Sequence, residues 1–173
     1  MNPDPDIAAA PAPRLALDAM IEAAAWTAAI DGLDAMVRET VEACLKVTGV
    51  PAASLCVLFT DDAAVKALNG QFRGQDKPTN VLSFPSFSDD DGLGDIAIAF
   101  ETVEREAVAQ GKAFRDHARH LIAHGVFHLL DYDHQDESEA QEMEDLERRV
   151  LAHFGVADPY AGHASSSNDE AKQ

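Results

Sequence analysis

The spacing of three histidines constrains this chain more than any other feature of its sequence. His124 and His128 are four residues apart inside a segment whose apolar residues recur at helical intervals. Four residues advance an α-helix by about one turn, so both imidazoles leave the same face of the helix. His134 follows six residues after His128, beyond the predicted end of the helix, where Asp131-Tyr132 allows the chain to turn back. The spacing therefore predicts that His124, His128 and His134 bind one divalent metal ion.

The kind of metal site follows from the number and type of these ligands. Two histidines four residues apart also occur by chance on helix surfaces, so the prediction depends on the third. The pattern H-x3-H-x5-H is the spacing of zincins with a third histidine, and three neutral imidazoles with one open position are typical of catalytic zinc. Zinc is therefore the expected cofactor, and a site of this kind also accepts nickel and other divalent ions. Position 125 is glycine, where an HExxH metalloprotease has its glutamate base, so the helix predicts a metal site without protease chemistry.

The length and the composition predict one domain with two loose ends. The chain has 173 residues, of which 46% are hydrophobic and 25% charged, as in ordinary globular proteins. Residues 1–13 are rich in proline, alanine and aspartate and predict a disordered arm, and residues 161–173 predict a second disordered tail. The ordered domain is then expected over residues 14–160.

Hydrophobic periodicity predicts an α/β or α+β sandwich in which a small sheet packs against helices. The predicted strands are residues 54–59, 80–84 and 95–100, and residues 14–21 fit a strand or a helix. The predicted helices, four or five in number, are residues 31–48, 62–69, 101–110, 114–130 and 137–154. Asp61 is placed to cap the second of these helices, and either Asp136 or Ser138 could start the last one.

The charge of the chain is strongly acidic and unevenly distributed. Thirteen basic and 31 acidic residues give a net charge of −18, which argues against a non-specific nucleic-acid binder. Two segments are locally basic, one with Arg73 and Lys77 and one with Lys112, Arg115 and Arg119. We expect both segments to converge on one groove beside the metal. Residues 137–147 are predicted to be a solvated acidic helix face.

The sequence also predicts the compartment of the protein. No run approaches 18 uncharged apolar residues, so no membrane span and no membrane partner are expected. The N-terminus lacks the basic and apolar regions of a secretory signal. Cys44 and Cys56 lie in apolar surroundings without metal-binding spacing, as buried reduced thiols do, and a cytoplasmic location is therefore predicted.

Four sequence blocks together resemble the YbeY family of bacterial endoribonucleases. They are LNGQFRGQDKPTNVLSFP at 68–85, GDI at 94–96, HGVFHLLDYDH at 124–134 and Met143-Glu144, in the order expected for the family. Two positions depart from the family pattern. Asn80 replaces a usual aspartate, so only a hydrogen-bonding or capping role would survive there. Asp131 replaces a usual glycine that implies a left-handed helix end, which aspartate tolerates better than most residues.

The resemblance implies a fold and a function. The fold is a small mixed four-stranded sheet packed on helices with the metal helix at the centre, which makes residues 14–21 a strand. The activity is single-strand-specific endoribonuclease cleavage, in 16S rRNA 3′-end maturation and ribosome quality control. The implied partners are single-stranded RNA or rRNA and the small ribosomal subunit or ribosome-associated proteins.

Further site residues are predicted around the metal. Arg73 matches the arginine of the family motif and is the expected catalytic residue, because a guanidinium can bind two phosphate oxygens at once. Lys77 is a candidate for steering RNA or a plain surface lysine. His120, one turn before His124, either faces the groove and binds substrate or is packed. Asp133 either orients a ligand histidine or caps a turn.

Two other functions are compatible with the same residues. One is a metal-dependent hydrolase of another substrate, protein or small molecule, which the basic segment around Arg73 disfavours. The other is a non-catalytic ribosome-assembly factor with a structural metal, which a fourth protein ligand would favour.

Overall fold

A four-stranded mixed sheet forms the centre of the fold, in the order β1-β2-β4-β3. The computed structural model describes residues 3–88, 92–133 and 135–161. The strands are β1 (Arg14–Ile21), β2 (Ala52–Thr60), β3 (Val81–Pro85) and β4 (Gly94–Ala99). Strand β2 pairs in parallel with β1 and with β4, and β3 is antiparallel to β4. The strand expected at residues 14–21 is confirmed with those bounds.

Seven helices occur in the described residues. They are α1 (Pro5–Ala9), α2 (Ala25–Ala29), α3 (Leu33–Thr48), α4 (Asp62–Arg73), α5 (Phe100–Gln110), α6 (Phe114–Leu129) and α7 (Glu137–His153). The side chain of Asp61 caps α4, as predicted, and of the two candidates for the start of α7 it is Asp136 that caps the helix. The two helices beyond the expected number, α1 and α2, have five residues each, too short to show a periodicity. None of the helices in the described ranges is long and apolar enough to cross a membrane.

Helix α6 lies in the middle of the main hydrophobic core. Alternate residues of β2 and β4, among them Val57, Phe59 and Ile96, are fully buried on the sheet face that α3 and α6 cover. Helix α4 packs on the opposite face with a smaller cluster around Val65. The helix that carries the histidine pattern is therefore held on its apolar sides by the sheet and by neighbouring helices.

Gly125 explains how closely α6 approaches the sheet. A Cβ atom at this position would lie 3.1 Å from Ile96 Cδ1 and 3.2 Å from Ser83 Oγ, tighter than ordinary van der Waals contact. A larger side chain would require Ile96 and Ser83 to shift by a few tenths of an ångström. Close packing against β3 and β4 therefore favours glycine at the position after His124.

The N-terminal residues differ from the disordered arm expected over residues 1–13. Asp4 caps α1, Pro5 occupies its first turn, and Ile7 is only 1% exposed in the core. Both Asp4 and Asp6 accept hydrogen bonds from Arg149 on α7. The composition suggested disorder, but an Asp-Pro pair is also a helix-start signal, and one apolar residue anchors the segment. The tail predicted at 161–173 lies outside the described residues except for Ala161.

Candidate metal centre

Two imidazoles on α6 form the core of the site. The Nε2 atoms of His124 and His128 are 3.1 Å apart, and both side chains open onto one groove. The spacing in the sequence thus places the two rings on one helix face. His134, the third predicted ligand, lies outside the described residues, so its part in the site stays a prediction.

A buried carboxylate on α7 holds the first of these imidazoles. Glu147 is fully buried, and its Oε2 lies 3.1 Å from Nδ1 of His124. A carboxylate only accepts hydrogen bonds, so Nδ1 is the donor, and a neutral imidazole then leaves Nε2 unprotonated. The unprotonated nitrogen is the one that faces His128. This is the arrangement in which a carboxylate orients a metal-binding histidine.

Two further groups donate to the same carboxylate. Glu147 Oε1 lies 2.5 Å from Nε2 of His120 and accepts a hydrogen bond of 2.7 Å from the Tyr160 hydroxyl. Burial alone would raise the pKa of Glu147, but the hydrogen bonds from His120 and His124 outweigh it and lower the pKa to about 2. Burial, and then the nearby charge of Glu147, raises the pKa of Tyr160, which therefore stays a proton donor. A full negative charge is thus held one imidazole away from the predicted metal position.

The role of Glu147 corrects the prediction that residues 137–147 are only a solvated acidic face. Most of these acids are exposed, but Glu147 is one of the buried residues of α7, with Met143, Val150 and Leu151. These residues are spaced as the apolar stripe of an amphipathic helix. The sequence could have identified Glu147 by its position in this apolar stripe. A charged residue is almost never fully buried unless it has a partner, so an acid at such a position indicates a specific contact.

The groove in front of the histidines has a volume of about 800 Å³. Its walls come from the end of α4, the following loop, β3 and the residues after α6. Arg73, Lys77 and Ser83 line the groove with both imidazoles, and so do the residues from Asp131 to Asp133. Of the two basic segments expected at the groove, the one with Arg73 and Lys77 therefore faces the histidines.

Arg73 is fixed beside the histidines by β3. Its guanidinium donates a hydrogen bond of 2.9 Å to the carbonyl oxygen of Ser83. The Ser83 hydroxyl donates in turn to the carbonyl oxygen of Gly125, at 3.2 Å. Because Gly125 follows His124 directly, one strand residue connects the arginine to the helix of the histidines.

The second basic segment does not reach the groove, which corrects the expected convergence. Arg119 is only 5% exposed, donates to Thr40 Oγ1 at 3.0 Å and lies over the ring of Phe154. Arg115 donates to the carbonyl oxygen of Asp31. On a helix these residues are turned by about 140° and about 180° from His124, so they point away from it. Nearness in sequence to the metal helix was not enough to place them on its metal face.

The structure places the three weaker candidates differently. The side chain of His120 is 13% exposed and contacts Glu147 behind His124, and it is not among the groove residues, which favours the packed alternative. Asp133 lines the groove, and its role in orienting a ligand histidine or capping the turn stays a prediction. Lys77 also lines the groove, and its carbonyl oxygen accepts a hydrogen bond from Asn69 that holds the loop.

The two positions that depart from the family pattern keep a structural role. Asn80 donates to Glu106 at 3.0 Å and accepts from the backbone of Val81 at 2.7 Å, so a neutral amide serves where the usual residue is an acid. Asp131 has φ of 72°, the left-handed conformation predicted from its position after α6. The turn that leads towards His134 is therefore made without glycine.

The described residues fit a metal such as zinc. Two ligand nitrogens at about 2.0–2.1 Å from a tetrahedral ion lie roughly 3.3 Å apart, close to the 3.1 Å between the two Nε2 atoms. The Glu147 contact selects the tautomer that exposes Nε2 of His124. Imidazole nitrogens suit zinc and nickel better than calcium or magnesium.

Curated relatives match nearly the whole chain. An Endoribonuclease YbeY from Rhodopseudomonas palustris strain BisA53 is 46% identical over 164 residues, which cover 89% of this chain and 95% of the relative. The Endoribonuclease YbeY of Chelativorans sp. strain BNC1 is 46% identical over 162 residues, covering 88% and 97%. That of Bradyrhizobium sp. strain BTAi1 is 47% identical over 154 residues, covering 83% and 91%.

A solved structure agrees with the fold. The solution structure of TM1509 from Thermotoga maritima matches 83% of this chain and 97% of its own, with a TM-score of 0.56 and 24% identity. The sequence profile of the family described as Endoribonuclease YbeY matches residues 20–155, a range that includes Arg73, Glu147 and the two predicted ligands His124 and His128. The chain therefore belongs to the YbeY family.

Proposed function

We propose that this protein is a metal-dependent endoribonuclease that cleaves single-stranded RNA, with zinc bound by His124, His128 and His134. The observation that carries the proposal is the shared groove of Arg73 and the two imidazoles. A cation site and a fixed guanidinium in one groove suit a phosphodiester, whose single negative charge is shared by its two non-bridging oxygens. The endoribonuclease names of the relatives support the same substrate class.

The residues of the chain divide the chemistry between them. Arg73 binds the non-bridging phosphate oxygens and stabilises the charge that develops on them. Lys77, which lines the same groove, attracts the RNA backbone. Glu147 keeps the Nδ1 proton on His124. Zinc, when bound, supplies Lewis-acid polarisation of a phosphate oxygen and lowers the pKa of a water molecule.

The proposed cellular role is 16S rRNA 3′-end maturation and ribosome quality control in the cytoplasm. A chain with a net charge of −18 repels bulk RNA, and only one of its two basic segments faces the groove. A partner on the small ribosomal subunit would raise the local substrate concentration and offset this repulsion. The charge distribution therefore supports delivery of the substrate by a ribosomal partner.

Cleavage assays on the full chain test the proposed activity. Wild type is incubated with single-stranded RNA, with duplex RNA and with casein, and its metal content is measured by atomic emission. We expect cleavage of the single strand only, with about one zinc bound per chain. His128→Ala should lose both zinc and cleavage, and His153→Ala, a histidine in the last turn of α7, serves as the matched control.

Two outcomes would overturn the proposal. Cleavage of casein without cleavage of RNA would point to a hydrolase of another substrate. Zinc bound at full occupancy, with no cleavage of ribosome-derived RNA, would point to a non-catalytic assembly factor.

A further inference from the structure

The segment after α7 reaches back to the metal centre through one side chain. Tyr160 lies beyond residue 155, where the match to the family profile ends. Its hydroxyl donates to Glu147 Oε1 at 2.7 Å, and its ring meets the ring of His120 edge to face, with centroids 5.6 Å apart. A residue outside the matched range thus contacts the carboxylate that holds His124.

The position of Tyr160 is fixed by its own neighbours. Asp158 accepts a hydrogen bond from the backbone N–H of Tyr160 at 2.8 Å and another from Nε of Arg148 at 3.2 Å. The guanidinium of Arg148 also lies over the tyrosine ring, 5.3 Å from its centre. Helix α7 therefore supplies both the carboxylate and the arginine that holds the segment over it.

We propose that Tyr160 is a positioning residue of the metal centre, which fixes His124 through Glu147. The inference rests on the proposed metal site. The Tyr160 hydroxyl holds Oε1 of Glu147, which keeps Oε2 directed at Nδ1 of His124. His124 then keeps the tautomer in which Nε2 is available to a metal ion.

The energetic reason is the burial of the carboxylate. A charged group that is 0% exposed is stable only when its oxygens have donors. His120 and His124 can each donate from a given nitrogen in only one of their two neutral tautomers. The tyrosine hydroxyl carries its proton in every case, and its contact with Glu147 at 2.7 Å is shorter than its contact with Nε2 of His120 at 3.3 Å, so it donates to the carboxylate.

A purely structural role for Tyr160 makes a different prediction. If the tyrosine only packs the segment after α7 against the domain, its hydroxyl affects stability and leaves His124 unchanged. The two roles are separated by zinc affinity and by the tautomer of His124, which ring ¹⁵N chemical shifts report in the metal-free protein.

The experiment compares three full-length variants with wild type. Tyr160→Phe removes the hydroxyl and keeps the ring, Glu147→Gln removes the charge, and Glu142→Gln is the matched control at an exposed position of α7. Zinc affinity is measured by competition with a chromogenic chelator. We expect a loss of roughly 10–100-fold for Glu147→Gln, a smaller loss of about 10-fold for Tyr160→Phe, and no change for Glu142→Gln.

The spectroscopic measurement makes the test independent of zinc and RNA. In metal-free wild type, we expect His124 to carry its proton on Nδ1, and Tyr160→Phe should shift population towards the other tautomer. Unchanged zinc affinity together with an unchanged tautomer in Tyr160→Phe overturns the inference, whatever the stability of the variant. If wild type binds zinc but cleaves no RNA, the proposed function fails while the positioning role stands. If Glu147→Gln does not fold, Tyr160→Phe decides alone.

Discussion

The guanidinium of Arg73 donates a hydrogen bond of 2.9 Å to the main-chain carbonyl oxygen of Ser83. Ser83 also bonds to Gly125 on the helix of the histidines, so the arginine is held relative to His124 by a strand and not by a flexible loop. An arginine has five N–H donors, and this bond occupies one of them. The residue is thus anchored at one edge and still has donors for a phosphate.

Replacing Arg73 by alanine should reduce RNA cleavage by roughly 10²–10³-fold, because a fixed donor to the transition state is lost. Zinc content and unfolding temperature should stay at wild-type values, since the side chain is exposed and, among the described residues, its hydrogen bond goes to a backbone carbonyl of β3. Arg115→Ala is the matched control, because Arg115 is also exposed and also donates to a backbone carbonyl. A cleavage rate within a few-fold of wild type would make Arg73 a surface residue.

The periodic features of the sequence were sufficient to predict most of the fold. The pair His124 and His128 needed only the pitch of a helix to be placed on one face. Asp61 marked the start of α4, and Asp136 was one of two candidates for the start of α7, because an aspartate side chain can cap the first turn of a helix. The left-handed conformation of Asp131 followed from a position where glycine is usual. Each of these features is local, so neighbouring residues determine it.

The features that escaped prediction depend on contacts between distant elements. Glu147 looked like one more acid in an acidic helix, and only its packing against His120 and His124 makes it part of the site. Arg119 looked like part of a basic patch, but it is buried, with a hydrogen bond to Thr40 and its guanidinium over the ring of Phe154. Charge counted along a sequence does not show which face of a helix carries it.

The turn after α6 offers a test of backbone strain. Asp131 is the one described residue other than glycine with positive φ, a conformation that costs most non-glycine residues about 1–2 kcal/mol. Asp131→Gly should raise the free energy of unfolding by about 0.5–1 kcal/mol, and Asp131→Ala should lower it. Asp131→Asn is the control, since asparagine tolerates the conformation without the charge. Urea unfolding of the metal-free proteins measures the series, and equal stability of the alanine and glycine variants would contradict the prediction.

The charge of the groove should determine how salt affects RNA binding. Each phosphate contact with single-stranded RNA contributes about −0.7 to the slope of log affinity against log salt. With Arg73 and Lys77 on the groove wall, we expect a slope of roughly −1.4. Lys77→Ala should reduce it by about 0.7, and Arg115→Ala should leave it unchanged, because Arg115 points away from the groove. Fluorescence anisotropy of a labelled single strand gives these slopes. An equal effect of both substitutions would mean that the RNA contacts both basic segments.

The N-terminal contact between Asp4 and Arg149 should make stability depend on pH. The hydrogen bond from Arg149 is the main cause that lowers the pKa of Asp4 in the folded protein, against a smaller opposing effect of burial. Because the folded pKa lies below the unfolded value of about 3.9, the stabilisation is fully present above that value. It is lost as the pH falls through the folded pKa. Asp4→Asn removes the charge but keeps a side chain that caps α1 well.

At pH 7 this variant should be less stable by up to about 1 kcal/mol, the usual range for ion pairs with an exposed partner. The difference from wild type should shrink as the pH is lowered below about 4. Urea unfolding at a series of pH values, with metal removed, measures this difference. In an Arg149→Gln background the pH-dependent part should become smaller, because only the cap bonds from Asp6 and Ile7 then lower the pKa of Asp4. If the difference in stability between wild type and Asp4→Asn is the same at every pH, the contact is not an ion pair that stabilises the fold.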